Sequence, residues 1–463
     1  MLSIAEEYLR DSNPDARLEV FGQELNDESY AICRSDMMIK GQDASHIVSG
    51  NSFDDDGHRG ATFDYCLANP PFGVEWKQVE QTVRDEHETL GFRGRFGAGL
   101  PRINDGSFLF LQHMISKMKP AAEGGSRIAI VFNGSPLFTG AAGSGESEIR
   151  RWIIEHDWLE AVVALPDQLF YNTGISTYFW VVTNRKSAER RGKVQLVDAR
   201  ELWVKMRKSL GEKRKQVSPE QIDEITRFYG AFEEGERVKI LPNEAFGFQR
   251  ITVERPLRLR WTGEGLRERL EAARGRSKLD EDARLAALAV ADRLSGLSTT
   301  DGAVAGKTVD SACGSEPLAS GAPGALSAAG VKAVTKALLE ALAVRDPEAP
   351  VVTGKGGAPE PDPELRDQEN VPLPADPVSF EPDPSARLAS DPYRQAVEEY
   401  MQAEVLPYVP DAWVDHAKTK LGYEIPLTRH FYRYVPPRPL EEIDAEIRQL
   451  EDEIQELLAE VTR

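Results

Sequence analysis

The order of apolar and polar positions over residues 1 to about 205 switches repeatedly between a helical and a strand period. LSIAEEYLRD places Leu2, Ala5 and Leu9 on one helical face, and ESYAICRSDMMIKG (28–41) repeats that spacing until Gly41 ends it. Short apolar runs of strand length follow at LEVFGQE (18–24), HIVSGNSF (46–53) and TFDYCLANPPFG (62–73), the last running into a proline-fixed turn. SFLFLQHMISKMK (107–119) predicts a long apolar helix, SRIAIVFNG (126–134) a buried strand and SEIRRWIIEH (147–156) a further helix. LEAVVALP, STYFWVVTN and KVQLVDA predict three more strands. Such alternation predicts a doubly wound α/β sheet with helices on both faces.

After about 205 the pattern changes to helical runs, predicting a helical extension over 206–300. Residues 301–392 read as a Gly/Ala/Pro-rich linker, and 346–392 alone hold 11 prolines in 47 positions. Proline lacks the backbone N–H, so that stretch is neither regular helix nor central strand. In the C-terminal region, 393–463, Leu440, Ile443, Ile447, Leu450, Ile454, Leu457 and Val461 step by alternating threes and fours. That is a coiled-coil-like seam, opened by Pro439 where a helix tolerates proline. Nine acids against two basic residues make 439–463 net negative by seven. Either the seam packs on its own domain or it contacts another, ideally basic, subunit.

With 463 residues there is room for about three domains. The net charge of -20 argues against a free-standing electrostatic nucleic-acid binder. A hydrophobic content of 41% argues against wholesale disorder. No apolar run reaches the length of a membrane span, and the acidic start MLSIAEEYLRDSN is no signal peptide. Three scattered cysteines, Cys33, Cys66 and Cys313, fit a reducing cytoplasm. The seven histidines show no ligand spacing, and no metal is expected.

Asn69-Pro70-Pro71-Phe72 directly follows the apolar strand FDYCLA, at the end where open α/β sheets place ligands. Two prolines fix φ near -65° and remove two donors, leaving a rigid turn with free carbonyls. An amide oxygen beside a backbone carbonyl can accept both hydrogens of an exocyclic amino group, and the ring of Phe72 offers a stacking face for a flat base. Those are the requirements for methylating an amino group on an extruded nucleobase. From average residue frequencies the tetrapeptide arises by chance only ~0.002 times in a chain of this length, so a mere turn is the weaker reading. Upstream, Glu24 ends a strand, where a carboxylate grips ribose hydroxyls or simply caps the strand in solvent. Asn51, in Gly50-Asn51-Ser52, either bonds an adenine edge or serves ordinary turn chemistry.

GQELNDESYAICRSDMMIKG, GNSF and FDYCLANPPFG, in this order, resemble the methylation subunit of type I restriction-modification systems. The likeness continues through GSFLFLQHMISKMKP, RIAIVFNGSPLF, EIRRWIIEHDWLEAVVALPDQLFYNTGIST and MRKSLGEKRK, and resumes at VPDAWVDHAKTKLGYEIPLTRHFYRYVPPRPLEEIDAEI, covering about three quarters of the chain. The resemblance implies an S-adenosylmethionine-dependent, adenine-N6-specific DNA methyltransferase with a Rossmann-like sheet in 1–205. It implies that Glu24 holds the cofactor ribose, that Asn69 and Pro70 hold the amino group, and that Phe72 stacks on the flipped adenine; Asn51 joins Glu24 as a candidate cofactor contact and Pro71 joins the catalytic turn on the reading of the residues themselves. Its partners would be double-stranded DNA, a specificity subunit docked on the C-terminal helix, a restriction subunit and a second methylation subunit. The family's glycine-rich cofactor loop and first strand would precede LSIAEEYLRD, so the expected catalytic core is incomplete, which leaves an inactive, specificity-subunit-binding role as the alternative.

Gly140–Gly145 with Asp167 superficially resembles a dinucleotide fingerprint, but lies too far from the preceding strand and reads as an exposed flexible loop. Lys205, Arg207, Lys208, Lys213, Arg214 and Lys215 form a basic cluster that reads as a DNA-phosphate contact or a solvated helix face. Phe170, Tyr171 and Thr173 form a polar-aromatic turn that either lines a base pocket or packs.

Overall fold

Eleven residues of helical period at the start form α1 (Leu2–Ser12) in the computed structural model, which describes residues 2–273, 279–314, 326–354, 356–434 and 436–461. The chain divides into two units, one of residues 1–247, 375–382 and 422–463 and one of 248–374 and 383–421.

In the first unit, α1 is followed by β1 (Gly22–Glu24), α2 (Asp27–Ile39), β2 (Ile47–Ser49) and β3 (Tyr65–Ala68). The Asn26 side chain caps α2 by accepting the Ser29 N–H at 2.8 Å, and Asp27 and Glu28 favour the positive end of its dipole. Next come α3 (Glu80–Leu90), α4 (Ser107–Ser116), β4 (Arg127–Phe132), the short α5 (Ser135–Phe138), α6 (Gly145–Glu155), β5 (Leu159–Ala164), β6 (Tyr178–Thr183) and β7 (Lys193–Asp198). β8 (Val204–Leu210), β9 (Lys213–Gln216), α7 (Pro219–Ala231) and β10 (Val238–Pro242) complete the run. A six-stranded mixed sheet has the order β10-β7-β5-β6-β4-β3, with β3 parallel to β4 from Tyr65↔Arg127 to Ala68↔Ile130. Every residue of β5 is buried, as expected of a strand covered on both faces. The core between sheet and helices is filled by Trp180, Phe132, Phe108, Ile128 and Ile149, with Phe132 and Trp180 edge to face at 5.3 Å.

β3 is different. It is the last strand of the sheet and, among the described residues, pairs only with β4. Tyr65 and Leu67, on one face of it, are 62% and 39% exposed. β1 and β2 form a separate two-stranded parallel sheet, Gly22↔Ile47 to Glu24↔Ser49. A ring contact joins the two sheets' strand entrances: Phe21 lies 5.2 Å from Phe63.

Several expectations need correction. The first two strands are three residues each, shorter than the runs 18–24 and 46–53, since only those residues find a partner strand. The sheet does not end at 205: β10 joins its edge against β7, from Val238↔Val197 to Pro242↔Lys193. The basic run after 203 is a β-hairpin, not a helix, because Gly211 at φ +62° supplies the left-handed turn a hairpin needs. The stretch 301–392 is not a plain linker. It holds helices Gly302–Cys313 and Ala328–Leu342, capped by the side chains of Asp301 and Ser327. Alanine, read there as part of a linker, is the strongest helix former. The residues of this stretch at 315–325 and 355 lie outside the described residues.

In the second unit those two helices pack with Leu266–Ala272 and Glu281–Arg293 around Leu266, Leu288, Val309, Val334 and Leu338. The strand Gly247–Glu254 pairs antiparallel with Asp367–Pro372 and Trp413–Val414. The proline-rich segment contributes extended backbone there, as its composition predicts.

The C-terminal helix, Leu440–Val461, belongs to the first unit. Its seam is uncovered: Ile447, Leu450, Ile454 and Leu457 are about half exposed or more. Packing of the seam on its own domain is therefore not what the structure shows. The side chain of Val461, the last seam position, lies outside the described residues. No described helix is long and apolar enough to cross a membrane.

Candidate active site

β3 delivers the chain to the turn Asn69–Phe72 at its carboxyl end. Pro70 is buried and anchors the turn, Asn69 and Pro71 are exposed and Phe72 is half-buried. Gly73 follows at φ +63°, reversing the chain. Beyond it, Val74 accepts the Gly106 N–H at 2.9 Å, and the Trp76 N–H donates to Ile103 at 3.0 Å. The turn is thus held at both ends. Among the described residues, neither the Asn69 side chain nor the Pro70 carbonyl makes a hydrogen bond. Two acceptors are therefore left without an internal partner on a backbone that the prolines stiffen. The ring of Phe72 meets Phe170 edge to face, centroids 6.1 Å apart. Burial pushes the Cys66 thiol within β3 up to about 11, so it stays protonated and offers no nucleophile beside the turn.

Glu24 and Asn51 lie at the carboxyl ends of the parallel pair β1 and β2. Glu24 is opposite Ser49, and its carbonyl accepts the Gly50 N–H at 3.0 Å. One carboxylate oxygen, Oε1, takes the Asn26 N–H at 2.9 Å; Oε2 makes no hydrogen bond among the described residues. That leaves the acceptor a vicinal diol needs. Asn51 spends its side-chain oxygen on the Phe53 N–H at 3.0 Å, which is turn chemistry, and only its amide NH2 remains for a ligand. No hydrogen bond or ring contact joins this pair to the Asn69 turn among the described residues.

What sequence reasoning missed is the machinery that fixes the loop after β2. The Arg95 guanidinium donates to the carbonyls of Ser52 and Phe53, both at 2.7 Å, and forks onto Glu86 at 2.6 Å. Burial alone would raise the Glu86 carboxyl, but the hydrogen bonds and charge of Arg95 hold it below its ordinary range. Lys117, itself buried, pairs with Asp56 at 2.5 Å and donates to the His58 carbonyl at 2.9 Å. Gln23 reaches from β1 to the Asp55 carbonyl at 2.6 Å and accepts the Gly57 N–H at 3.2 Å. His113 sits within 3.2 Å of Arg95; burial, then the Arg95 charge, hold its pKa down to about 4, so it is a neutral acceptor. Helical spacing alone links His113 and Lys117 on α4, but nothing local in the sequence marks their target.

In the Gly140–Gly145 segment Gly140, Ala141 and Gly143 are exposed, as expected of a loop, but its other end is packed. Ala142 is buried, and a Cβ at Gly145 would collide with the backbone of Leu100. Glu146, at the start of α6, accepts the Arg102 N–H at 2.9 Å. Gly145 thus serves close backbone packing. Of the turn 170–173, Phe170 reaches Phe72, whereas Tyr171 is 62% exposed and lies under the Lys213 ammonium, 5.1 Å from its ring centre.

The sequence model of the N-6 DNA methylase family matches residues 1–245. The type I restriction enzyme MjaIX methylase subunit of Methanocaldococcus jannaschii is 28% identical over 236 residues, 51% of this chain and 40% of that one. The HindI methylase subunit of Haemophilus influenzae is 32% identical over 187 residues, 40% of this chain and 38% of that one. The chain thus spans about 40% of the length of these relatives. The solved type I methyltransferase subunit from Streptococcus thermophilus is 23% identical, covering 49% of this chain and 45% of that one at a TM-score of 0.41. With more than half of its residues matched and the Asn-Pro-Pro-Phe turn in place at the end of β3, the chain belongs to the N-6 DNA methylase family.

Proposed function

We propose that the chain is the methylation subunit of a type I restriction-modification complex and methylates N6 of an adenine flipped out of double-stranded DNA. One observation carries this reading: a proline-stiffened turn presents the unpaired Asn69 amide and Pro70 carbonyl beside the half-buried ring of Phe72. In the mechanism, Asn69 Oδ1 and the Pro70 carbonyl accept the two amino hydrogens, which turns the nitrogen lone pair out of conjugation with the ring. Phe72 holds the base by stacking, and Pro71 keeps the two acceptors at fixed separation. Glu24 Oε2 would hold the ribose of S-adenosylmethionine, with the Asn51 amide at its adenine edge; the donor set fits that half of the cofactor. When bound, the cofactor supplies an electrophilic methyl group. The chain's own contribution is positioning and the placement of acceptors where positive charge develops.

A specificity subunit reads the sequence and docks on the acidic, uncovered seam of Leu440–Val461; a restriction subunit and a second methylation subunit complete the assembly. That the net charge is negative fits a division of labour in which partners supply most of the DNA contact. The edge of β3, unpaired among the described residues, favours a second reading, in which this polypeptide binds the specificity subunit but transfers nothing by itself. Transfer of labelled methyl to DNA, with the specificity partner present, separates the two. Wild type should incorporate label and Asn69→Ala should lose at least a hundredfold of it, about 3 kcal/mol for removing a positioned acceptor. Equal incorporation by both proteins would sink the assignment of the turn; heat-silent cofactor titration of the wild type would favour the second reading.

A further inference from the structure

We infer that the β8–β9 hairpin is a grip for the DNA phosphate backbone, placed beside the base-stacking ring; this rests on the methyltransferase reading and names its contact surface. The hairpin carries six cations within eleven positions of a chain whose net charge is -20. Lys205, Arg207, Lys208 and Arg214 are exposed, and none of them has an acidic partner among the described residues. Lys205 stands directly across from Lys215 in the pairing register. Like charges opposite each other on a hairpin are destabilising; Lys215 is relieved by Asp167 and by the Trp203 ring, whereas Lys205 has no acidic partner among the described residues. An external polyanion would relieve the remainder.

The hairpin is also well seated. Its turn lies on the 168–171 loop: the Tyr171 carbonyl accepts the Glu212 N–H at 3.0 Å, and the Gln168 carbonyl accepts the Arg214 N–H at 3.1 Å. A Cβ at Gly211 would stand 2.5 Å from the Tyr171 oxygen, so only glycine permits the seat. One residue from that seat, Phe170 meets Phe72. The chain of contacts runs from cations to loop to stacking ring without a break, so a backbone held by the hairpin is held close to the extruded base. Long cationic side chains on a two-stranded ribbon suit phosphates, which position DNA without reading its sequence.

The test is binding of the full chain to a fluorescein-labelled 30-base-pair duplex across a series of salt concentrations, for wild type and for Arg207→Gln/Lys208→Gln. Each phosphate contact adds about one to the slope of log affinity against log salt. The double variant should lower the slope by about two and weaken binding equally for unrelated duplex sequences. Lys213 and Lys215 stay in place over Tyr171 and Trp203, so the seat of the hairpin is kept. An unchanged slope, no wild-type binding at low salt, or hairpin-dependent binding to phosphatidylserine vesicles but not to duplex would each overturn the inference. Asn69→Ala separates this from the transfer reading: it should keep the wild-type slope, so its failure to lose methyl transfer would count against the turn and not against the hairpin.

Discussion

Replacing Arg95 by methionine tests the strongest unforeseen feature of the site. The substitution keeps the aliphatic stem and removes the guanidinium that holds the Ser52 and Phe53 carbonyls and the Glu86 carboxylate. Arg95 and Glu86 side chains are only 16% and 15% exposed. Breaking a buried pair costs about 3–5 kcal/mol, and two charge-assisted bonds to carbonyls are lost as well. The residual exposure and the remaining Arg95 N–H bond to Glu86 place the net effect near the lower end, about 3 kcal/mol. A chain of two units is not expected to unfold in one step, so the readout is local. Amide hydrogen exchange over residues 51–58 should quicken by about a hundredfold, the equivalent of that free energy. Arg95→Lys, which keeps the charge but not the fork, should fall between. His113 supplies a second reading of the same contact. Burial and Arg95 hold it to about 4, against 6.5 in the unfolded chain. Its contribution to stability is therefore complete above 6.5 and is lost as pH falls toward 4, because the unfolded chain takes up the proton first. Without the Arg95 charge the His113 midpoint, followed by NMR, should rise. Exchange within threefold of wild type together with an unmoved midpoint would refute the clamp.

Gly145→Ala forces a Cβ into the Leu100 backbone and should destabilise the first unit by about 1–3 kcal/mol, read as a lowered thermal midpoint, with no change in a Gly235→Ala control, where an added Cβ meets open space. Ile447→Asp with Ile454→Asp alters side chains that are 49% and 55% exposed. Stability of the isolated chain should stay within about 0.5 kcal/mol of wild type while co-purification with a specificity subunit is lost; a large fall in thermal midpoint would show that the seam is covered by its own chain.

The sheet was legible because its strands are either wholly apolar or bounded by turn residues. LEAVVA and YFWVVT admit no helical face, and the structure pairs them as β5 and β6. The Asn69–Phe72 turn was legible because two adjacent prolines after a buried strand leave little conformational choice. Less was visible where charge dominated. MRKSLGEKRK has the composition of a solvated helix, and only the glycine at 211 tells of the hairpin. The helices at Gly302–Cys313 and Ala328–Leu342 were hidden by the opposite problem, small residues whose face becomes apolar only through Val309, Val334 and Leu338 in contact. The clamps on the loop after β2 were invisible because Arg95 and Lys117 act on backbone carbonyls far away in sequence, and carbonyls carry no residue signature.

The edge of β3 has a mechanical consequence. A central strand is restrained from two sides, but among the described residues this one pairs with β4 alone, with half of its peptide groups facing outward. Two prolines make the Asn69 corner stiff within itself, and the Val74 and Trp76 bonds hold the chain beyond it, so the open margin of β3 is the side on which it is least restrained. A neighbouring strand laid along that margin would add restraint without touching a single reacting atom, and would set the precision with which the corner aims its two acceptors.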